Sequence, residues 1–337
     1  MDTELQGYDP DAPRALGVSI EDLQALYTRA NESVEAKRME ALRPTGVKGL
    51  RKFSLLETCE ILGLNPPAFY KLIDGKDEFQ GERHGQLRYY TLEQINRLRD
   101  LRKAAPKDLY GIRRAFCLAV ANFKGGVAKT FSSSTLAQYL ALRGWRVLLV
   151  DLDPQASLST TFGLDSTKTD DWSTVLPYLY GRKMIEDEGN EFPTSFRSVI
   201  QKTYWPGIDL VASNLNLYSG DFVLALQREN DRAFPFYRPV HDGLEDVRGE
   251  YDIIIIDTPP SLSLTTTGAL YAADGIVVPT QAELIDYESA RAFIKLATEV
   301  LQGIGSGFGE SKGFELFRVL ITRYKQSQSH AAANILS

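Results

Sequence analysis

The sequence predicts an α/β fold, a mainly parallel sheet flanked by helices, preceded by an all-α or winged helix-turn-helix domain. Three observations predict it. From about Arg113 onward, leucine-rich and β-branched runs ("FCLAVAN", "RVLLVDLD", "YDIIIID", "GIVVPT") alternate with helix-like stretches such as "TFSSSTLAQYLALRG". Runs of that kind bounded by turns are strands buried on both faces, and their alternation with helices builds a parallel sheet. Before them, two short cap-marked segments meet around Gly63, the layout of a helix-turn-helix unit. The charge balance also changes sign: residues 1–42 carry four basic and nine acidic side chains, and residues 43–107 carry thirteen basic and eight acidic. In a chain of net charge -6, that swing from -5 to +5 marks a boundary. The basic segment either faces an anionic partner or is a solvated face.

Length and composition limit the alternatives. The chain of 337 residues has room for two domains of about 150 residues each. With 43% hydrophobic and 24% charged residues it can bury a core. No apolar run reaches the roughly 18 residues of a membrane span, and "MDTELQGYDPDAPR" has neither the basic start nor the apolar centre of a signal peptide. The expectation is a cytoplasmic protein without a membrane partner. Two cysteines, Cys59 and Cys117, are too few for a disulfide scaffold and read as small buried apolar residues.

The first piece, residues 1–46, places Leu16, Ile20, Leu23, Tyr27, Ala30, Val34 and Ala41 at steps of three and four. This fits one long amphipathic helix, either folded back on its domain or forming a dimerisation seam. In the second, residues 47–108, Ser54 and Glu57 form a capping box for a helix over Leu55 to Leu62 that stops at Gly63. Asn65 caps a second helix with Pro66 at its first position. Leu64, Phe69, Leu72 and Ile73 turn inward, leaving Tyr70 and Lys71 for a DNA major groove. A protruding loop follows with Arg83, His84 and Arg88 placed for phosphates. Thr91 and Gln94 then cap a helix whose apolar side is Leu92, Ile95, Leu98 and Leu101. A helical hairpin that only packs is the alternative. Over about fifty residues this segment, with its "RYYT", resembles the winged helix-turn-helix of MerR-type regulators.

The third piece, residues 109–337, carries the chemistry. "NFKGGVAKTFS" follows the first strand and approaches the phosphate-loop template G-x-x-x-x-G-K-[ST], with Phe123 and Ala128 where glycines are expected. Gly125 and Gly126 let the backbone approach anionic oxygens, and the N–H groups from there to Lys129, Val127 included, point at phosphate. Lys129 supplies charge for the β- and γ-phosphates and Thr130 a hydroxyl for Mg²⁺. Ala128 keeps its N–H and strains the turn by about a kcal/mol. The nucleotide stretch thus runs from Lys124 to Phe131. "LLVDLDPQAS" and "YDIIIIDTPP" put carboxylates at the ends of two strands on the same sheet edge. Asp257 can hold the Mg²⁺ hydration shell, and either Asp151 or Asp153 can orient a water for attack on the γ-phosphate.

Through "KGGVAKT", "DLDPQAS" and "IIIIDTPPSL", with "VASNLNLY" and "VVPTQAELIDYES", the chain resembles the deviant Walker A P-loop ATPases. Within them it is similar to the ParA family of plasmid and chromosome partition proteins, over about Phe116 to Ser337. Together with the winged segment, it resembles the larger plasmid partition ATPases, which repress their own operon. The resemblance implies that Lys124 reaches across a dimer to the partner's nucleotide, that Asp153 positions water, and that Asp151 lies beside Lys129 and the metal. Lys124, Lys129 and Asp153 are then the catalytic set, and Thr130, Asp151 and Asp257 the metal set.

The implied protein is a slow, Mg²⁺- and ATP-dependent homodimer associated with the nucleoid. It binds operator DNA specifically and other DNA nonspecifically, and works with a centromere-binding ParB-type partner. A repressor whose nucleotide site is only a ligand switch is the alternative. "SQSHAAANILS" at the end reads as the start of a helix, so a C-terminally shortened chain is expected. The nitrogenase iron protein is set aside because its cluster cysteines follow the phosphate loop, whereas both cysteines here precede it. The division-site protein MinD needs a C-terminal membrane helix; none stands in this sequence, and the expected shortening leaves a membrane tail open.

Overall fold

The computed structural model describes residues 20–21, 23–30, 49–310 and 312–324. The chain divides into two compact units, Met1–Lys48 and Gly49–Ser337. In the first, residues 20–21 and 23–30 are helical (α1), with Ile20, Leu23 and Tyr27 exposed. Leu16, Val34 and Ala41 of the expected seam lie outside the described residues, as does "SQSHAAANILS".

The second unit holds two sheets. The smaller has the order β1 (Phe53–Ser54), β3 (Leu87–Tyr90), β2 (Glu82–His84), all antiparallel. Around it pack α2 (Leu55–Leu62), α3 (Pro66–Ile73) and α4 (Leu92–Leu101). Their ends follow the sequence rules. Ser54 and Glu57 close the capping box of α2, and Gly63 ends that helix at φ 63. Asn65 Oδ1 accepts the Ala68 N–H at 2.9 Å, and Thr91 with Gln94 forms the box of α4. Phe69, Ile73, Tyr90, Leu92, Ile95 and Leu98 form one core, with Leu64 and Leu72 partly buried against it.

Leu101, expected on the same side, is 56% exposed. Each three-residue step falls about 60° short of a helical turn, so by Leu101 the row 92, 95, 98, 101 has rotated to the face opposite Leu92. The position one further along, Arg102, bonds inward to the Leu62 carbonyl instead.

A short helix, α5 (Pro106–Tyr110), leads to the larger sheet. Its strands are β4 (Phe116–Val120), β5 (Val147–Asp151), β6 (Gln201–Lys202), β7 (Ile208–Val211), β8 (Ile253–Asp257), β9 (Gly275–Gln281) and β10 (Leu316–Thr322). Their order is β10-β9-β4-β8-β5-β7-β6, parallel throughout except β6. Alternate strand residues serve two cores. Val120, Val147, Leu149 and Ile255 pack under α6 (Lys129–Leu142) and α7 (Ser157–Thr161). Ala119, Leu148, Val150, Ile254 and Ile256 meet α8 (Leu176–Asp187), α10 (Arg238–Glu245), α11 (Leu264–Ala272) and α12 (Leu284–Phe308). The remaining helix, α9 (Tyr218–Asn230), packs on α8 and α11. Cys59 and Cys117 are buried and free. Among the described residues no helix is long and apolar enough to cross a membrane.

Register places the site. Val120 pairs with Asp257, and Asp257 with Asp151, so the carboxyl ends of three adjacent strands fall in one row. The loop from β4 to α6 starts at that row.

Candidate functional site

The loop is built around positive backbone angles. Gly126 has φ 76, and Ala128, the residue before α6, has φ 70 and ψ 35. That is the left-handed region, which costs an L-residue about 1 kcal/mol or more. Among the described residues, no hydrogen bond engages the N–H groups from Gly125 to Thr130. A ring of unpaired donors at the start of a 14-residue helix is a seat for an anion. A Cβ on Gly125 or Gly126 would meet nothing within 4 Å, so the space above the loop is open. Phe123 turns away, edge-on to Phe293 of α12 at 5.0 Å. Val127 is fully buried. Phe131 is 70% exposed and lines a groove toward β10 rather than the phosphate seat.

Lys129 is buried, and its Nζ donates to the Lys124 carbonyl at 3.1 Å. Burial lowers its pKa, against the pull of Asp257 and Asp153. Beneath it, Asp257 Oδ1 accepts the Ser133 hydroxyl at 2.9 Å. Asp257 Oδ2 is buried without a partner, while the Thr130 hydroxyl stands beside this carboxylate outside hydrogen-bond geometry. Burial raises the Asp257 pKa, and the hydroxyls of Thr130 and Ser133 oppose the rise.

Asp151 is differently employed. Its Oδ2 accepts the Ser159 N–H at 2.9 Å and hydroxyl at 2.7 Å, and its Oδ1 accepts the Asp153 N–H at 3.2 Å. Burial, then the charge of Asp257, pushes its pKa up. The expected metal role meets a carboxylate already committed to shaping the β5–α7 loop. That loop presents Asp153, half-buried, whose Oδ1 accepts the Gln155 N–H at 3.0 Å. Gln155 reaches the Tyr218 hydroxyl at 3.0 Å across a cleft of about 270 Å³ that Asp153 and Pro259 also line.

Lys124 does not point into solvent. Its ammonium pairs with the carboxylate of Asp286, which is 1% exposed in the first turn of α12. Asp286 lies in "AELIDYES" and had no role in the sequence reading. Its only signal there is an acidic residue in the helix turn after β9. Ser133 and Ser159, which hold the two strand-end carboxylates, carried no signal at all.

A family profile described as an AAA domain matches residues 116–306, more than half of the chain. The provisionally named replication protein A of Sinorhizobium fredii (strain NBRC 101917 / NGR234) is 34% identical over 307 residues, 87% of this chain and 73% of that protein. The chromosome partitioning protein ParA of Caulobacter vibrioides (strain NA1000 / CB15N) is 31% identical over 214 residues, 63% of this chain and 71% of that protein. The chain belongs to the ParA/Soj family of partition ATPases.

Solved structures agree with this ParA-family fold. Cobyrinic acid a,c-diamide synthase from Mycobacterium smegmatis, crystallised with an ATP analog and magnesium, is 30% identical with TM-score 0.52, covering 66% of this chain and 80% of that one. A partition protein of known structure, 20% identical, covers 91% of this chain and 87% of its own with TM-score 0.64, which extends the fold likeness beyond the ATPase segment.

In the smaller sheet region of the ParA-family chain, Tyr70 is 47% exposed on α3, and Lys71 beside it is exposed. Arg83 is exposed on β2, opposite Arg88 on β3. Arg88 is drawn inward: its Nη1 donates to the Gln80 carbonyl at 3.0 Å and to Gln80 Oε1 at 2.7 Å. It braces the hairpin. Arg51, exposed and stacked 4.7 Å over the Phe53 ring, pairs with Glu57 at 2.8 Å and was passed over in the sequence reading.

Proposed function

We propose that the chain is a slow Mg²⁺-dependent ATPase that dimerises on ATP, binds DNA nonspecifically in that form, and segregates a plasmid or chromosome with a centromere-binding ParB-type partner. It works in the cytoplasm on the nucleoid, and represses its own operon through the helix-turn-helix of the larger partition ATPases. One observation carries the nucleotide assignment: unpaired N–H groups from Gly125 to Thr130 lie over a buried lysine and a carboxylate oxygen without a donor. Each is a cost that a metal–triphosphate removes. Mg²⁺ is held by few carboxylates plus substrate phosphates, and among the described residues no all-protein metal cluster exists.

Thr130 and Asp257 would hold the ion, which would offset the charge of the phosphates. Asp151 fixes the loop that presents Asp153, and Asp153 orients the attacking water. Lys129 leaves the Lys124 carbonyl for the β- and γ-phosphates. Lys124, released from Asp286, lays its charge on the partner's nucleotide, as an arginine finger would. The M. smegmatis structure with its ATP analog and magnesium supports the ligand choice, and the ParA relative supports the partition role.

Lys124→Ala then binds ATP but forms no ATP-dependent dimer in sedimentation, and dimers of that variant would refute the trans role. ATP turnover with and without DNA separates this reading from a ligand-switched repressor. Lys71→Ala should weaken binding to selected DNA more than to random DNA, by about 1–3 kcal/mol if it reads a base. Equal loss on both DNAs makes Lys71 a phosphate contact.

A further inference from the structure

Arg99 of α4 is 4% exposed, and among the described residues no carboxylate forms an ion pair with it. Its guanidinium serves helix ends instead. Nη2 donates to the Ile61 carbonyl at 3.3 Å and to the Leu142 carbonyl, and Nη1 to Asn96 Oδ1. Ile61 lies in the last turn of α2, the first helix of the helix-turn-helix; Leu142 is the last residue of α6, which begins at Lys129. The other terminal carbonyls of both helices are already met. Leu64 and Gly63 N–H groups serve Cys59 and Glu60, Arg102 serves Leu62, and Arg143 and Gly144 N–H groups serve Tyr139, Leu140 and Ala141. One buried cation therefore completes two helices where their dipoles concentrate negative charge. Gly144 at φ 89 leaves it room, since a Cβ there would lie 2.8 Å from Arg99 Cδ. Leu142 itself packs against the core of the DNA-reading unit.

We propose that Arg99 is the positioning residue through which occupancy of the phosphate loop sets the affinity of the helix-turn-helix for duplex DNA. This rests on the nucleotide and DNA assignments above. The 14 residues of α6 span about 21 Å from phosphate seat to guanidinium. A phosphate that engages the free N–H groups at one end re-seats the helix as a rigid body. At the other end the planar fork holds α6 and α2 in a fixed relation, which a single point contact does not.

The test uses the full chain and a labelled duplex that the chain itself selects from a randomised pool. Duplex Kd is measured with and without ADP or a non-hydrolysable ATP analogue, and nucleotide Kd with and without duplex. In the unmodified chain each ligand should change the other's Kd by the same factor, about fivefold or more. In Arg99→Met both factors should fall to within about twofold of one while each ligand still binds. Arg99→Lys keeps the charge without the fork and should give the same loss, which covers the case of a Met variant that does not fold. A residue that only stabilises the fold would lower the melting temperature and leave the factors intact. Unchanged factors in both variants overturn the role of Arg99. Independent binding in the unmodified chain overturns the coupling while both sites stand. A chain that binds nucleotide but selects no duplex removes the DNA assignment, and the coupling with it.

Discussion

Gly63 and Ala128 share a backbone conformation, φ 63 and ψ 38 in one, φ 70 and ψ 35 in the other. Gly63 closes α2 beside the smaller sheet, where a glycine takes that shape without strain and every carbonyl of the last turn finds a donor. Ala128 opens α6 at the phosphate seat, where the strain is left standing beside unpaired N–H groups, a buried lysine and an unpartnered carboxylate oxygen. The two regions show opposite bookkeeping. One satisfies itself from its own residues, and the other stays unsatisfied until something anionic arrives.

The widest break between the regions should come from Lys129→Ala. Turnover should fall by about a hundredfold or more, since the charge facing the phosphates is gone. Without ligand the same variant should melt no lower than the parent, because it loses a desolvated cation. A clear drop in melting temperature would mean that the seat is self-satisfied after all. Asp153→Ala should bind ATP and dimerise yet turn over about tenfold more slowly or worse, water positioning being a transition-state effect. Normal turnover would move that role off Asp153.

The matched pair Gly63→Ala and Ala128→Gly tests the comparison at its root. The first should cost about 1 kcal/mol in denaturant unfolding with nucleotide affinity unchanged. The second should gain less than about 1 kcal/mol, as the relief of strain is partly offset by a freer unfolded chain, and should tighten nucleotide binding. Equal signs would remove the contrast.

The smallest effect is in pH. Asp151 and Asp257 have pKa values raised by burial. Their contribution to stability is therefore full below the ordinary carboxylate range near about 4 and is lost as pH rises through the raised values. The ligand-free chain should lose melting temperature over that window, and Asp151→Asn should flatten the loss. An unchanged slope would place the ionisation elsewhere.

What could be read from sequence divides along the same line. Caps at Ser54, Asn65 and Thr91 are local bonds between near neighbours, and each is where the residues place it. Strands β4, β5, β8 and β9 were legible because each is a continuous apolar run, but their order in the sheet was not. Strand β10 was not: "LFRVLIT" carries an arginine and packs at the sheet edge, half-exposed. Nor were β6 and β7, of two and four residues. Asp286 and Arg99 escaped because their partners are distant in the chain: Asp286 pairs with Lys124, and Arg99 reaches Leu142, 43 positions on. Arg88 looked free for DNA because nothing in "GQLRYY" announces that Gln80 takes it.

The row of Val120, Asp257 and Asp151 bears on how the chain reaches its fold. A strand with apolar residues on both faces stays apolar on both after a one-residue slip, and "IIIID" offers four equivalent isoleucines to slide along. A slip would turn Asp257 to the opposite face and leave an isoleucine facing Ser133. Such a sheet could be compact and apolar inside, and it would have no seat for a metal–phosphate. Nucleotide at a hundred times its Kd adds about 2.7 kcal/mol to the correctly paired state and nothing to the slipped one. Refolding in nucleotide should therefore recover more native chain, with the ligand proofreading the sheet.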